Sequence, residues 1–289
     1  MNDAVADTDT TNSDMGVLYI VATPIGNLSD ISQRAIETLR DVDVILAEDT
    51  RHTKPLLQQF SINTRLFAYH DHNEQQQVPK ILERLLRGEN LALVSDAGTP
   101  LISDPGYSLV QAAQNAGISV CPIPGACALI TALSASGMPT DQFHFGGFLP
   151  HKQQNRLRTL KAIANSTHTT VFYESSHRIV SSLEDCVAVF GSRPAAIARE
   201  LTKKFETIKA ADLPELLDFV CSDDNQQRGE FVVIIGGAQA VDDSEQQLEH
   251  TLTVLLADLP LSQAVELSAK LLGLKKNKVY QFALAMQKA

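Results

Sequence analysis

Short apolar, β-branched runs alternate with amphipathic helical segments through the first half of this 289-residue chain. The run "VLYIVAT" is followed by the turn "PIGNLSD" and then by the helical segment "ISQRAIETLRD". One face of that helix carries Ile31, Ala35, Ile36 and Leu39. The later runs "VDVILAED" and "LALVS" are apolar almost throughout, which is typical of strands buried on both faces. The alternation predicts an α/β fold whose first sheet is parallel and covered by helices on both sides.

A second α/β unit is predicted after "MPTDQFHFGGFLPHKQQ", a stretch that we interpret as a break between domains. The runs "PAAIAREL" and "FETIKA" are too close together for a helical crossover, so part of the second sheet is expected to be antiparallel. Past Gly237 we expect a polar linker and three short helices, the second capped by Ser262 and ended by Gly273. The predicted limits are a disordered acidic tail at 1–15, α/β domains at 16–140 and 141–238, and a linker with a helix-turn-helix-like domain at 239–289.

The composition indicates a soluble, cytoplasmic protein without a membrane partner. Hydrophobic residues make up 44% of the chain, and its four cysteines form no C-x-x-C pair and no zinc spacing, which favours a reducing compartment. No run reaches the roughly 20 apolar residues of a membrane span. The acidic start is unlike a signal peptide. The formal net charge of −10 argues against nucleic acid as a partner, but four tail acids contribute to it, so a local basic face stays possible.

Five polar or Gly-rich loops are expected at the carboxyl edge of the first sheet, where parallel α/β folds bind ligands. They are "TPIGNL", "EDTRHT", "YHDHNE", "SDAGTPLISDPG" and "PIPGAC". None contains a dinucleotide or P-loop motif, which disfavours a nicotinamide or ATP site. A tight turn that offers backbone groups to an adenine fits "AGTPLI" better, because Gly98 permits close backbone approach and Pro100 fixes the turn. Leu101 and Ile102 would then wall an apolar slot for an adenosyl ligand.

Two further clusters each have two interpretations. His70 and His72 lie beside acidic residues, but no third ligand stands at a telling spacing, so a hydrogen-bonded loop edge is favoured over a metal site. The segment "ARELTKKFET" is either a solvated charge cluster or a charged wall for an anionic substrate. Basic residues elsewhere in the same domain strengthen the second interpretation: Arg156, Arg158, Lys161, His177 and Arg178.

These motifs, in their order along the chain, resemble those of the bacterial 16S ribosomal RNA cytidine 2′-O-methyltransferases, which belong to the tetrapyrrole-methylase superfamily. The motifs include "LYIVATPIGNLSDIS", "ILAEDTRHT", "LVSDAGTPLISDPG", "PIPGACALITALSASG", "FYESSHRI", "ARELTKKFE" and "GEFVVIIGG". The resemblance covers residues 17–237 in register, and the family's small helical domain matches the C-terminal segment. The longer acidic tail is a departure from the family that affects no catalytic motif.

The resemblance implies two α/β domains of tetrapyrrole-methylase type with S-adenosylmethionine in the cleft between them. It also implies a homodimer that acts on 16S rRNA in the small ribosomal subunit; no metal-binding residues are assigned, and whether a metal assists the reaction stays open. The implied cofactor contacts are Pro24, Gly98, Thr99, Pro100, Leu101, Ile102, Ala126, Tyr173 and Glu174.

The implied reaction moves a methyl group from a sulfonium to a ribose 2′-oxygen, a poor nucleophile that a nearby base or cation would help. Candidates for the helping group are Glu48, Asp49, Glu174, Glu200 and Lys203. We favour Glu200 and Lys203, acting as one group with the neighbouring Arg199. Candidates for binding the RNA substrate are Arg51, Arg178 and Lys204.

Two other functions stay open at this point. One is C-methylation of an acidic tetrapyrrole precursor on the same fold; the helical appendage and the loops "EDTRHT" and "ARELTKK" favour RNA over it. The other is a non-catalytic regulator that binds nucleic acid through its C-terminal helices. That hypothesis leaves two α/β domains with a shared cleft unexplained.

Overall fold

The first sheet of the computed structural model, which describes residues 15–238 and 244–286, is parallel throughout. Its strands are β1 (Leu18–Val21), β2 (Val44–Ala47), β3 (Arg65–Ala68), β4 (Leu91–Val94) and β5 (Val120–Ile123). They lie in the order β3-β2-β4-β1-β5. The predicted α/β class and the parallel first sheet are confirmed. The carboxyl ends of all five strands therefore meet at one edge.

Five helices follow these strands: α1 (Gln33–Asp41), α2 (Thr50–Gln59), α3 (Glu74–Leu86), α4 (Tyr107–Asn115) and α5 (Ala128–Ala135). The segment "EDTRHT" differs from its prediction as a loop, because α2 begins inside it. The Asp49 carboxylate accepts a hydrogen bond from the Arg51 amide and so caps the helix. Arg51 and His52 consequently lie in the first turn of a helix.

The second sheet is mixed and contains β6 (Phe143–Phe148), β7 (Thr169–Ser175), β8 (Pro194–Arg199), β9 (Thr207–Asp212) and β10 (Glu230–Ile235). Its order is β6-β7-β10-β8-β9, with only β6 and β7 parallel. The predicted antiparallel pairing of β8 with β9 is confirmed. Three helices accompany the sheet: α6 (Gln153–Ala162), α7 (Ile179–Phe190) and α8 (Leu213–Cys221).

Strand β6 lies in the segment that was predicted to be a break, so that prediction is wrong. Two glycines hide the strand from a pattern analysis. A Cβ at Gly146 would lie 2.2 Å from the Phe172 ring, so glycine is needed for β6 to pack on β7. Gly147 has φ +64°, and the register shifts between Phe145 and Phe148.

Helix α5 of the first α/β half packs on the second sheet. Leu129, Ala132 and Leu133 of this helix share one buried cluster with residues of β7, β8 and β10. Separate clusters fill both faces of the first sheet and the other face of the second. Burial of α5 therefore fixes the loop edge of the first sheet against the second sheet. The predicted domain limit at 140/141 falls between α5 and β6 and stays a prediction.

The contacts divide the chain into two units, one up to Gly237 and one from Ala238 onward. The second unit contains α9 (Ser244–Asp258), α10 (Leu261–Leu272) and α11 (Lys276–Met286), which confirms the three predicted helices. Gly273 ends α10 in a left-handed conformation, as predicted, but the cap of that helix is Pro260 and not Ser262. The predicted tail, apart from Met15, and residues 239–243 of the predicted linker lie outside the described residues. Within the described ranges, no helix has the length and apolar character needed to span a bilayer.

Candidate functional site

A cavity of about 420 Å³ lies between the two sheets of the first unit. The first sheet contributes residues that follow β1, β2, β4 and β5, all at its carboxyl edge. The second sheet contributes the end of β7, the start of β10 and Leu201, which follows β8. The volume suits a small organic ligand, and the position is the one where open α/β sheets bind ligands.

The loop that follows β4 has a strained backbone. Leu101 and Ser103 have φ values of +72° and +68°, which residues other than glycine rarely adopt. Gly98 and Gly106, in the same loop, have φ values of +85° and +130°. Strain of this kind persists only where the surrounding structure enforces it, and it concentrates at functional sites.

Hydrogen bonds join this loop to those that follow β1 and β5. Thr23 and Gly98 exchange two backbone hydrogen bonds, of 2.8 and 3.0 Å. The Thr99 hydroxyl donates to the carbonyl oxygen of Ala126 at 3.0 Å. Three loops from separate strands therefore form one connected wall.

Carboxyl groups dominate the polar lining of the cavity. They belong to Glu48, Asp96, Asp104, Glu174 and Glu230, and no Lys, Arg or His side chain lines the cavity among the described residues. Glu174 is neutralised by Arg178, with 2.6 Å between Oε1 and Nη2. An environment of this composition favours a positively charged ligand over an anionic one.

The pKa of Glu48 is raised from 4.5 to about 7. Burial is the main cause, and the negative charges of Asp104, Asp96 and Asp71 add to it, while the Asp96 backbone amide counteracts them. Burial likewise raises the pKa of Asp104 to about 6, opposed by a hydrogen bond from Ser95. No described cation lies within ion-pair distance of Glu48 or Asp104. The cavity thus holds carboxyl groups that exchange protons near neutral pH.

An aromatic wall faces these carboxyl groups. The Tyr173 oxygen accepts a hydrogen bond of 3.1 Å from the Leu129 amide, and burial raises the pKa of its hydroxyl. Phe145 and Phe148 meet the Tyr173 ring edge-on, with centroids 4.9 and 5.6 Å away. Tyr173 and Phe148 line the cavity together with Ile25 and offer a flat apolar surface.

The predicted cofactor contacts divide into two groups. Those that line the cavity are Gly98, Thr99, Ile102, Tyr173 and Glu174. Pro24, Pro100, Leu101 and Ala126 lie outside the lining. Pro24 borders a neighbouring hollow together with His52. Ala126 is joined to the wall through the hydrogen bond that its carbonyl oxygen accepts from Thr99.

The predicted catalytic residues are spread over three environments. Glu48 lines the cavity. Asp49 does not, because its carboxylate caps α2 and holds the guanidinium of Arg51 at 2.6 Å. The hydrogen bond from Arg51 keeps the pKa of Asp49 well below its usual range. The Arg51 side chain itself is 86% exposed, so it is accessible to a partner.

The favoured group of Arg199, Glu200 and Lys203 lies beside the cavity and not in its lining. The buried Arg199 guanidinium donates to the carbonyl oxygens of Arg228 and Phe205. Lys203 Nζ lies 2.9 Å from Glu200 Oε1 and 3.0 Å from a carboxylate oxygen of Glu230. Burial works to raise the pKa of Glu200, but hydrogen bonds from Lys203 and the Glu230 amide lower it overall. All three side chains are therefore engaged in holding backbone or in ion pairs.

The basic face expected in the second domain is smaller than the sequence suggests. Arg156 is buried and paired with Asp185 at 2.7 Å. Arg178 is largely buried and donates to the carbonyl oxygen of Leu149 while it holds Glu174. These arginines stabilise the fold, and little of either side chain is exposed to contribute to a charged wall for an anionic substrate. Lys204, by contrast, is exposed.

His70 and His72 make an edge contact with ring centroids 5.9 Å apart. Within residues 15–238 and 244–286, no three His, Cys, Asp or Glu side chains are placed to hold a metal ion. Asp96 and Asp104 line the cavity as acids, a role that was not predicted from the sequence. Both stand in the quoted loop "SDAGTPLISDPG", and their position after a buried strand is the signal that identifies them.

Comparison with known proteins places this geometry in a family. The family model described as Tetrapyrrole (Corrin/Porphyrin) Methylases matches residues 17–217, and the model of the RsmI C-terminal HTH domain matches residues 242–287. The solved structures of a cobalt precorrin-4 methyltransferase and of diphthine synthase each superpose with a TM-score of 0.57. They are 17% and 16% identical, and each alignment covers 76% of this chain, with 94% and 90% of the respective structures. At this identity they show the fold alone.

Curated relatives are much more similar. Ribosomal RNA small subunit methyltransferase I of Escherichia coli O157:H7 is 55% identical over 96% of this chain and 97% of the relative. The protein of the same name from Pseudomonas aeruginosa is 52% identical over 94% of this chain and 98% of its own. The resemblance found in the motifs is thus confirmed. The chain belongs to the tetrapyrrole methylase family and, within it, to the family of the ribosomal RNA small subunit methyltransferases I.

Proposed function

We propose that this protein transfers a methyl group from S-adenosylmethionine to the 2′-oxygen of a cytidine ribose in 16S rRNA of the small ribosomal subunit. The observation that carries the proposal is the cavity itself, in which Glu48 and Asp104 are unpaired carboxyl groups and no basic side chain is part of the described lining. Membership of the methyltransferase family supports the reaction type.

The residues present fit S-adenosylmethionine. Gly98, with its positive φ and no side chain, lets the loop backbone approach a ligand closely, and Ile25, Ile102 and Tyr173 provide apolar surface beside it. The carboxyl groups of Glu48 and Asp104 stabilise positive charge in the cavity. When bound, the cofactor supplies an electrophilic methyl group on a positively charged sulfur.

Glu48 is the residue best placed to accept the proton of the ribose hydroxyl. Its carboxylate lines the cavity, and a pKa of about 7 makes it a stronger base than an ordinary glutamate while leaving much of it ionised at neutral pH. The fixed walls of the cavity orient the acceptor oxygen, which contributes several kcal/mol in favourable cases, on the order of 7. A Glu48 carboxylate oxygen would take the proton of the 2′-oxygen as the methyl group passes from sulfur to that oxygen, with the carbon–sulfur bond breaking and its electron pair remaining on sulfur.

The structure counts against the two alternative functions. A tetrapyrrole precursor rich in carboxylates would approach a cavity that is itself lined by carboxyl groups, which is unfavourable. A non-catalytic regulator would have no use for the strained loop or for the raised pKa of Glu48. RNA offers a single neutral ribose to the cavity and keeps its phosphates outside.

The family resemblance also supports a homodimer that works in the cytoplasm on assembled or free rRNA. Light scattering of the purified protein tests the dimer. The function is tested by supplying tritiated S-adenosylmethionine together with either small subunits from a strain that lacks the gene or a polycarboxylate tetrapyrrole. Label in the subunits alone supports the proposal; label in the tetrapyrrole alone contradicts it.

A further inference from the structure

The loop at 200–206 connects β8 to β9 and borders the cavity through Leu201. Its backbone is strained, because Glu200 and Thr202 have φ values of +50° and +66°. Two residues other than glycine have left-handed backbone conformations within three consecutive positions. This is unusual in a loop that only connects two strands. Strain of this kind points to a functional constraint on the loop.

The loop is held in place from three directions. Buried Arg199 donates to the carbonyl oxygen of Phe205 at 3.2 Å, and Lys203 bridges Glu200 and Glu230. From the first sheet, Gly26 approaches so closely that an added Cβ would lie 2.6 Å from Lys203 Cγ. The loop is therefore pre-organised, and a partner that binds it has little ordering cost to overcome.

The loop presents an aromatic ring and a cation to solvent. Phe205 is 63% exposed, and Lys204 Nζ lies 5.6 Å from the centre of its ring. Lys204 has no acidic partner within 4 Å among the described residues. A largely exposed ring with a lysine ammonium group over it matches the surfaces that bind single-stranded nucleic acid, in which bases stack on aromatic side chains and cations contact the phosphates.

We propose that Phe205 is a stacking platform for an unpaired nucleobase adjacent to the ribose that enters the cavity, and that Lys204 contacts a phosphate of the same strand. This inference rests on the proposed function and names the element that docks its RNA. Arg199 acts as a positioning residue, because it holds the loop without facing the cavity lining. The exposed ring explains why the strained loop conformation is retained.

The test compares Phe205→Ala, Phe205→Trp and Tyr107→Ala in the full-length protein. Tyr107 is a matched control, since it is 68% exposed and lies on α4 in the first domain. For Phe205→Ala we expect the KM for small subunits to rise about ten-fold, within the range that alanine substitution of a stacking residue gives. Phe205→Trp should keep a KM near that of the wild type, because indole also stacks. The affinity for S-adenosylmethionine, measured by calorimetry, should be unchanged in all three variants.

The outcomes separate this inference from the proposed function. If the wild-type protein methylates subunits and Phe205→Ala has the same KM, the stacking role is wrong while the function stands. Failure of Phe205→Trp to preserve the KM, or an equal loss in Tyr107→Ala, also overturns the inference. Absence of methylation by the wild-type protein would overturn the proposed function itself. Melting temperatures of the variants show whether any loss comes from unfolding.

Discussion

The Thr99 hydroxyl donates a hydrogen bond of 3.0 Å to the carbonyl oxygen of Ala126 and thereby joins the loops that follow β4 and β5. We expect Thr99→Val, which keeps the shape and loses the donor, to weaken S-adenosylmethionine binding about five- to ten-fold, since a hydrogen bond contributes about 1 kcal/mol. Calorimetry measures the affinity. Thr64→Val is the control, because its hydroxyl makes an equivalent bond of 2.6 Å to the Leu39 carbonyl outside the cavity lining. If the two variants bind S-adenosylmethionine with the same affinity, the hydrogen bond from Thr99 plays no part in cofactor binding.

Gly98 provides a second test of the same loop. Its φ of +85° makes Gly98→Ala strained by about 1–2 kcal/mol, and the bonds with Thr23 transmit that strain to the cavity wall. We expect a loss of cofactor affinity of about ten-fold or more. Gly117→Ala has a comparable φ of +73° with open space around the new Cβ, so it should lower stability similarly and leave cofactor affinity intact. If both variants lose cofactor affinity to a similar extent, the loss comes from backbone strain in general and not from the position of Gly98 in the cavity wall.

Much of this fold follows from periodicity. Apolar runs separated by helical patterns identify β1, β2 and β4 of the first sheet, and the short spacing between two runs identifies the antiparallel pair of β8 and β9 in the second. Strand β6 escapes, because Gly146 and Gly147 remove the side chains that make a strand recognisable, and the reason for Gly146 is the ring of Phe172 on the neighbouring strand. A tertiary contact of that kind has no local signature.

The site is predictable in place and less so in chemistry. Loops at the carboxyl edge of a parallel sheet identify where a ligand binds, and Gly98, Thr99 and Tyr173 follow from the motifs. The environment of the arginines cannot be predicted from the sequence, because Arg156 pairs with Asp185, a residue that lies 29 positions away in the chain. The raised pKa of Glu48 likewise depends on burial and on Asp104 from another loop, and neither is visible in the sequence around it.

Glu48 should give the protein a distinctive dependence on pH. Methylation needs the ionised carboxylate, so kcat/KM should rise as the pH passes through about 7 and then level off. Glu48→Gln should reduce kcat by about 10²-fold or more and flatten the profile. A Glu48→Gln variant that retains wild-type rates would exclude Glu48 as the base.

Stability should change with the same ionisation. The folded protein holds a proton on Glu48 between pH values of about 4.5 and 7 that the unfolded chain has lost, so rising pH lowers the free energy of unfolding across this window. The Glu48→Gln variant has no carboxyl group at this position, so its free energy of unfolding does not fall for this reason. Its melting temperature relative to the wild type should therefore increase as the pH is raised through that range. A constant difference would mean that the pKa of Glu48 is not raised in the folded protein.

Lys275 and Lys278 are exposed beside the start of α11. Positive charge there opposes the helix macrodipole, which indicates a use in binding RNA phosphate. Replacement of both lysines by glutamate should weaken subunit binding and reduce the magnitude of the slope of log K against log salt by about 1 to 2. The control is the double variant Lys54→Glu and Lys80→Glu, which changes the net charge by the same amount at two exposed sites of the first domain. Unaltered binding at moderate salt would make the C-terminal lysines irrelevant to the partner.

Nucleoside analysis of the methylated rRNA is the decisive test of the proposed reaction. Small subunits from a strain that lacks the gene are incubated with the protein and methyl-labelled S-adenosylmethionine. The rRNA is then digested to nucleosides, which are separated and identified by mass spectrometry. We expect the label to appear in 2′-O-methylcytidine and to saturate at a single methyl group per subunit. Label on a base or on the ribose of another nucleoside, or no label from protein that binds the cofactor, would contradict it.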